Sequence, residues 1–154
     1  MSIFNSKNFL ETQKIAIGLS IEIQKTMTNN KKAVVLGLIG DLGGGKTTFL
    51  QGFAKGLGIK EKITSPTFVL LKRYQFDNNS KNFYHIDCYR MQSPKEMEEL
   101  GWKEITENPN NIIAVEWANK ILKILPENSF FLNFDFIDGK KRKIKIKKIL
   151  NVKK

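Results

Sequence analysis

The residues best suited by type and spacing to do chemistry are Gly40-Asp41-Leu42-Gly43-Gly44-Gly45-Lys46-Thr47. They satisfy the pattern G-x-x-x-x-G-K-[ST] at every fixed position. A loop that wraps its backbone N–H groups around phosphate oxygens has little room for Cβ atoms, and glycine removes them. A helix beginning where the loop ends aims unpaired N–H groups and its positive end at the same anion. Lys46 is then expected to bring its ammonium to the β- and γ-phosphates, and the Thr47 hydroxyl to ligate Mg²⁺. The implied ligand is a nucleoside triphosphate.

Chemistry at a γ-phosphate needs two further groups: an acid that holds Mg²⁺ or its water, and something that orients the attacking water. Two positions qualify. Asp87 closes the apolar stretch Phe83-Tyr84-His85-Ile86, and Glu116 closes Ile112-Ile113-Ala114-Val115. Each, taken alone, is equally a surface charge at a strand end; beside a phosphate loop, each is a candidate for the metal shell or for water activation. Ser65 and Thr67 stand on the first loop after the loop's helix, where nucleotide switches place a γ-phosphate-sensing hydroxyl. His85 shares a strand face with Asp87, and a hydrogen-bonded structural role is the simpler reading. Trp117 either covers the core or stacks on a base. Arg90 pairs with Asp87 or acts as a charge clamp, and the sequence does not choose.

These residues need elements to hold them. Ala33–Ile39 is a continuous apolar run of strand length, as in a parallel strand buried on both faces. Phe49, Leu50, Phe53, Ala54 and Leu57 then recur as one face of a helix ending near Gly56 and Gly58. Upstream, Met1–Lys7 could form a short edge strand, and Ile15, Ala16, Leu19 and Ile23 mark a helix from Thr12 to about Met27. Downstream, Val69–Phe76 and Phe83–Tyr89 read as strands around the polar turn Asp77–Asn82. Ser93-Pro94-Lys95-Glu96 starts a short helix, with a capping box, that stops at Gly101. Asn111–Val115 is a second buried strand, and a helical segment through Ile121, Leu122 and Leu125 stops at Pro126. Phe130, Leu132, Phe134 and Phe136, then Asp138-Gly139, then Ile144 and Ile146 describe a C-terminal β-hairpin. Its lysine-rich face reads as a solvated edge protected against further pairing, with a basic strip facing RNA as the functional alternative.

With 154 residues and no linker or repeat, residues 1–154 are expected to form a single domain. No apolar run approaches the ~20 residues that cross a bilayer. The lone cysteine, Cys88, cannot form an internal disulfide, which suits a reducing, cytoplasmic location. The net charge of +11 rests on 23 Lys but only 3 Arg, alongside 14 Asn. That skew fits a codon bias as well as it fits an anionic partner, because Arg is the better fork for phosphates and bases.

Taken in order, Gly40-Asp41-Leu42-Gly43-Gly44-Gly45-Lys46-Thr47-Thr48, Ser65-Pro66-Thr67-Phe68, His85-Ile86-Asp87-Cys88-Tyr89-Arg90 and Glu116-Trp117 resemble the TsaE (YjeE) family. That family is the small ATPase of bacterial tRNA threonylcarbamoyladenosine synthesis. The resemblance runs from Glu11-Thr12 to the final hairpin. It implies a P-loop α/β fold: one three-layer domain with a mixed, mainly parallel sheet. It also implies slow, Mg²⁺-dependent ATP hydrolysis in the service of partner proteins TsaD and TsaB, TsaD being the one that transfers the threonylcarbamoyl group. Direct contact with tRNA is left open. By the same resemblance Asp41, Leu42, Gly43, Gly44, Gly45, Lys46, Thr47 and Thr48 bind the nucleotide. Thr12 lies on its adenine side and Trp117 close by. Thr47 and Glu116 correspond to Mg²⁺ ligands, Asp87 to a residue required for hydrolysis, and Ser65 to Phe68 to a switch-like loop. Two departures are visible: Gly44 where the family usually has alanine, and Cys88 for a usual leucine.

Competing readings are a small-molecule or nucleoside kinase and a non-catalytic RNA-binding module. Such kinases generally carry an arginine-bearing lid, and this chain has only Arg73, Arg90 and Arg142. A GTPase is disfavoured because Asn119-Lys120-Ile121-Leu122 lacks the closing Asp of the guanine-reading motif.

Overall fold

In the computed structural model, the apolar run before the glycine loop forms β2 (Val34–Gly40). The structure describes residues 1–40, 45–64 and 70–148. A strand alternates its side chains between two faces, so a strand apolar throughout requires cover on both. Val34, Leu36 and Leu38 enter one core with Ala16 and Ile23 of α1 (Phe9–Met27) and Phe49 and Phe53 of α2 (Lys46–Gly56). Val35, one step out of phase, enters a second core. That core includes Met97 of α3 (Lys95–Glu99), Trp102 of α4 (Trp102–Glu107), and Ala118 and Ile121 of a 3₁₀ segment (Ala118–Ile124). The result is three layers, with the sheet in the middle.

The sheet has seven strands: β1 (Ser2–Ser6), β2, β3 (Leu71–Phe76), β4 (Lys81–Asp87), β5 (Asn111–Glu116), β6 (Phe130–Asp138) and β7 (Lys141–Lys148). Their spatial order is β1-β7-β6-β2-β5-β4-β3. The expected predominance of parallel pairing is corrected here. Three pairs are parallel (β2–β5, β2–β6, β4–β5) and three antiparallel (β1–β7, β3–β4, β6–β7). Parallel pairing is confined to the centre, where helical crossovers cover both faces; short turns make β3–β4 and β6–β7 antiparallel, and β1 joins β7 antiparallel from far away in sequence.

The hairpin is also placed differently from the expectation of a solvated edge. Its lysine-bearing strand, β7, pairs with β6 on one side and β1 on the other, so the edge is β1. Alternation along β7 sends Arg142, Ile144 and Ile146 into buried positions, while Lys143 and Lys145 lie between them on the opposite face. Helix α1 starts three residues earlier than expected because Asn8 caps it, accepting from Glu11 N at 2.9 Å, while Glu11 Oε1 accepts from Lys7 N at 2.8 Å. Two further differences concern short elements. After Gly101 (φ 79°) the chain forms α4, which has no counterpart in the sequence reading. The segment before Pro126 is 3₁₀, with non-helical torsions at Ile121.

Helices α1 and α2 cross closely at two glycines. A Cβ on Gly52 would lie 2.6 Å from the Gln13 backbone, and one on Gly56 only 1.8 Å from Ser20 Oγ. On the other side of the sheet, a Cβ on Gly37 would lie 2.9 Å from Ala118 Cβ, so the 3₁₀ segment presses directly on β2. These contacts fix α2 against α1 and the residues after Glu116 against β2.

Candidate functional site

In an open α/β sheet, ligands gather outside the carboxyl ends of the strands where the chain order reverses. Here β2 lies between β5 and β6, and the ends of β2, β4 and β5 meet: Leu38 pairs with Glu116, and Glu116 with Asp87. The two acids singled out from the sequence are therefore neighbours, in register and on the same face, two residues short of the end of β2.

Gly45 opens α2 with φ 95°, a left-handed conformation that favours glycine. It offers the helix no capping side chain, and the first turn contains no acidic residue. The start of such a helix carries N–H groups without intrahelical partners and a partial positive charge, which suit an anion. Lys46 is buried, its Nζ donating to the Gly40 carbonyl and lying 4.8 Å from the centre of the Trp117 ring. Thr47 and Thr48 follow on the first turn, both half-buried.

Asp87 and Glu116 are almost wholly buried. Asp87 Oδ1 accepts from Tyr89 N at 2.9 Å. Glu116 Oε2 accepts from His85 Nε2 at 2.7 Å, and His85 has no exposed surface. Both carboxylates are hard oxygen donors. Among the described residues no group of three His, Cys, Asp or Glu side chains is arranged to hold a metal. That donor set suits Mg²⁺, which takes one or two carboxylates and completes its shell with water and substrate phosphates.

Trp117 follows Glu116 with φ 59°. It is half-buried and packs against Tyr89, ring centres 5.0 Å apart. It packs against the second core, as the core-covering alternative expects, and its ring also faces Lys46. Lys120 donates to the Tyr89 carbonyl and lies over its ring. Arg90 is exposed and forms none of the described ion pairs. Thr12 is buried in α1, its hydroxyl 2.6 Å from Ser6 Oγ and 3.3 Å from the Asn8 carbonyl. Asp41, Leu42, Gly43 and Gly44 of the loop, and Ser65 and Thr67 of the switch-like stretch, lie outside the described residues.

One neighbour of the loop was missed in the sequence. Arg142 is buried, and its side chain would lie 3.5 Å from a Cβ on Gly45. Its guanidinium sits 4.8 Å over the Phe136 ring and donates from Nη1 to the carbonyls of Gly139 (2.9 Å) and Lys141 (3.0 Å). Arg142 keeps the same alternate-residue phase as Ile144 and Ile146, a signal that marks it as the inward member of the basic run. Behind the acids, Cys88 is buried in the second core. Desolvation, reinforced by the Asp87 carboxylate and only partly offset by Lys120, pushes its thiol up to about 12.

Residues 8–144 match the family model described as "Threonylcarbamoyl adenosine biosynthesis protein TsaE". The chain is 37% identical over 110 residues to the tRNA threonylcarbamoyladenosine biosynthesis protein TsaE of Haemophilus influenzae, covering 71% of this chain and 68% of that protein. It is 40% identical over 121 residues to the protein of the same name from Borreliella burgdorferi, covering 73% and 86%. Among solved structures, YdiB of Bacillus subtilis superposes with a TM-score of 0.71 at 32% identity, over 97% of this chain and 86% of that one.

Proposed function

The chain belongs to the TsaE family of threonylcarbamoyl adenosine biosynthesis proteins, and from that premise we propose that it is a Mg²⁺-dependent ATPase serving tRNA threonylcarbamoylation. The observation that carries the ATPase reading is the meeting of a helix start opened by Gly45 and a buried lysine with two adjacent carboxylates at the carboxyl ends of the interior strands.

The glycine-rich sequence Asp41 to Thr48 would bind the phosphates, with Lys46 setting a positive charge against the β- and γ-oxygens. Thr47 and Glu116 would hold Mg²⁺, which when bound would supply charge neutralisation at the phosphates. Asp87 orients the attacking water and takes part in removing its proton. The water oxygen forms a bond to the γ-phosphorus, the bridging P–O bond breaks, and ADP leaves with the electron pair. Ser65 and Thr67 report the γ-phosphate, Trp117 lines the nucleotide, and Thr12 supports the adenine side through the start of α1. The threonylcarbamoyl transfer itself belongs to TsaD, with TsaB as its partner. A cytoplasmic location goes with that role; among the described residues, no helix is long and apolar enough to cross a membrane.

The test is ATP hydrolysis measured with and without TsaD and TsaB. Stimulation by the partners is expected. No stimulation, together with phosphate transfer to a small acceptor, overturns the reading in favour of a kinase. For the site, Glu116→Ala is expected to keep nucleotide binding and lose Mg²⁺-dependent turnover, and unchanged hydrolysis would remove Glu116 from the metal shell.

A further inference from the structure

His85 lies within β4 without exposed surface, on the sheet face that carries Phe83 and the first core. Burying an imidazole strips water from two ring nitrogens. In return the ring makes one hydrogen bond among the described residues, from Nε2 to Glu116 Oε2 at 2.7 Å, while Nδ1 has no partner among them. A leucine or phenylalanine would fill this space without the desolvation cost. Packing therefore does not account for a histidine here, and the bond to Glu116 does.

The strand register explains how the ring reaches its partner. His85 pairs across the sheet with Ala114, whose side chain is a single methyl, and Glu116 stands two residues further along the same face. Glu116 is flanked in register by Asp87 on one side and Leu38 on the other. A carboxylate beside a like charge has reason to turn away, and a donor from inside the layer opposes that.

The geometry points to His85 as the positioning residue of Glu116, holding one carboxylate oxygen from within so that Glu116 meets Mg²⁺ in a single orientation. This rests on the reading of Glu116 as a Mg²⁺ ligand. Hydrogen-bond partners that orient a metal ligand are typically worth about 10–100-fold in metal affinity.

The experiment measures binding rather than turnover. Affinity for a non-hydrolysable ATP analogue is determined by calorimetry in EDTA and across a Mg²⁺ series, with melting curves to verify the fold. His85→Leu is expected to leave the EDTA affinity unchanged and to raise the Mg²⁺ concentration for half-maximal effect by about tenfold or more. His85→Gln, which keeps an N–H able to reach Glu116, is expected to stay close to the parent protein. In a Glu116→Gln background, His85→Leu is expected to add nothing. If the Mg²⁺ effect of His85→Leu persists there, or if EDTA affinity falls equally, the ring merely packs and the positioning role is overturned. If Glu116→Gln shifts the Mg²⁺ series and His85→Leu does not, the positioning role alone falls. If Glu116→Gln shifts nothing, the ligand assignment falls and takes the positioning role with it. Should His85→Leu not fold, His85→Asn, whose amide is too short to reach Glu116, carries the same expectation.

Discussion

Lys46 is charged and yet buried, which is tolerable only with compensation from the Gly40 carbonyl, the Trp117 ring and its remaining surroundings. A charge-assisted contact to phosphate is worth roughly 1.5–3 kcal/mol. Lys46→Ala is therefore expected to weaken ATP binding by about 10- to 150-fold, measured by calorimetry. Cys88 gives a second prediction at this scale. Its thiol is raised from 9.0 to about 12 in the folded protein, so below pH 9 it is protonated whether the chain is folded or not. Between pH 9 and about 12 the unfolded chain ionises first, and stability falls by up to roughly 1.4 kcal/mol per pH unit. Cys88→Ala is expected to lose less stability over that window in denaturant titrations. At pH 8 the native thiol is expected to resist alkylation until the protein is unfolded.

At the scale of elements, the close crossing of α1 and α2 depends on glycine. Gly52→Ala places a methyl 2.6 Å from the Gln13 main chain, which cannot move as a side-chain tip can. We expect a loss of about 1–3 kcal/mol, read as a lower denaturation midpoint, with ATP affinity reduced as α2 shifts. Such contacts mark the limit of what a single sequence discloses. Strand β2 and helix α2 were legible because their apolar periods are uninterrupted. Helix α4 was not: it has six residues, follows a glycine break and buries only Trp102 and Thr106. The 3₁₀ segment carries helical spacing too short to distinguish it from an α-helix. Asp87 and Glu116 could each be placed at a strand end. Their adjacency, and the bond from His85 to Glu116, depend on which strands are neighbours and in what register. No local pattern encodes that.

For the molecule as a whole, a ligand that binds only the folded state stabilises it by mass action. ATP with Mg²⁺ at a hundred times its Kd is expected to add about 2.7 kcal/mol, or roughly 5–10 °C in Tm for a domain of this size. Scanning calorimetry checks this, and Lys46→Ala at the same ATP concentration should show a much smaller rise. The pairing of β1 with β7 carries a consequence of another kind. Ser2 lies opposite Ile146, so among the described residues the strand that pairs with β1 is made about 140 residues after it. Loop closure over such a span is entropically slow. During synthesis β1 must wait, its amides unsheltered, while the central parallel strands assemble around the proposed nucleotide cleft. Closure of that margin is then a late folding event, and one that leaves the cleft's framework already in place.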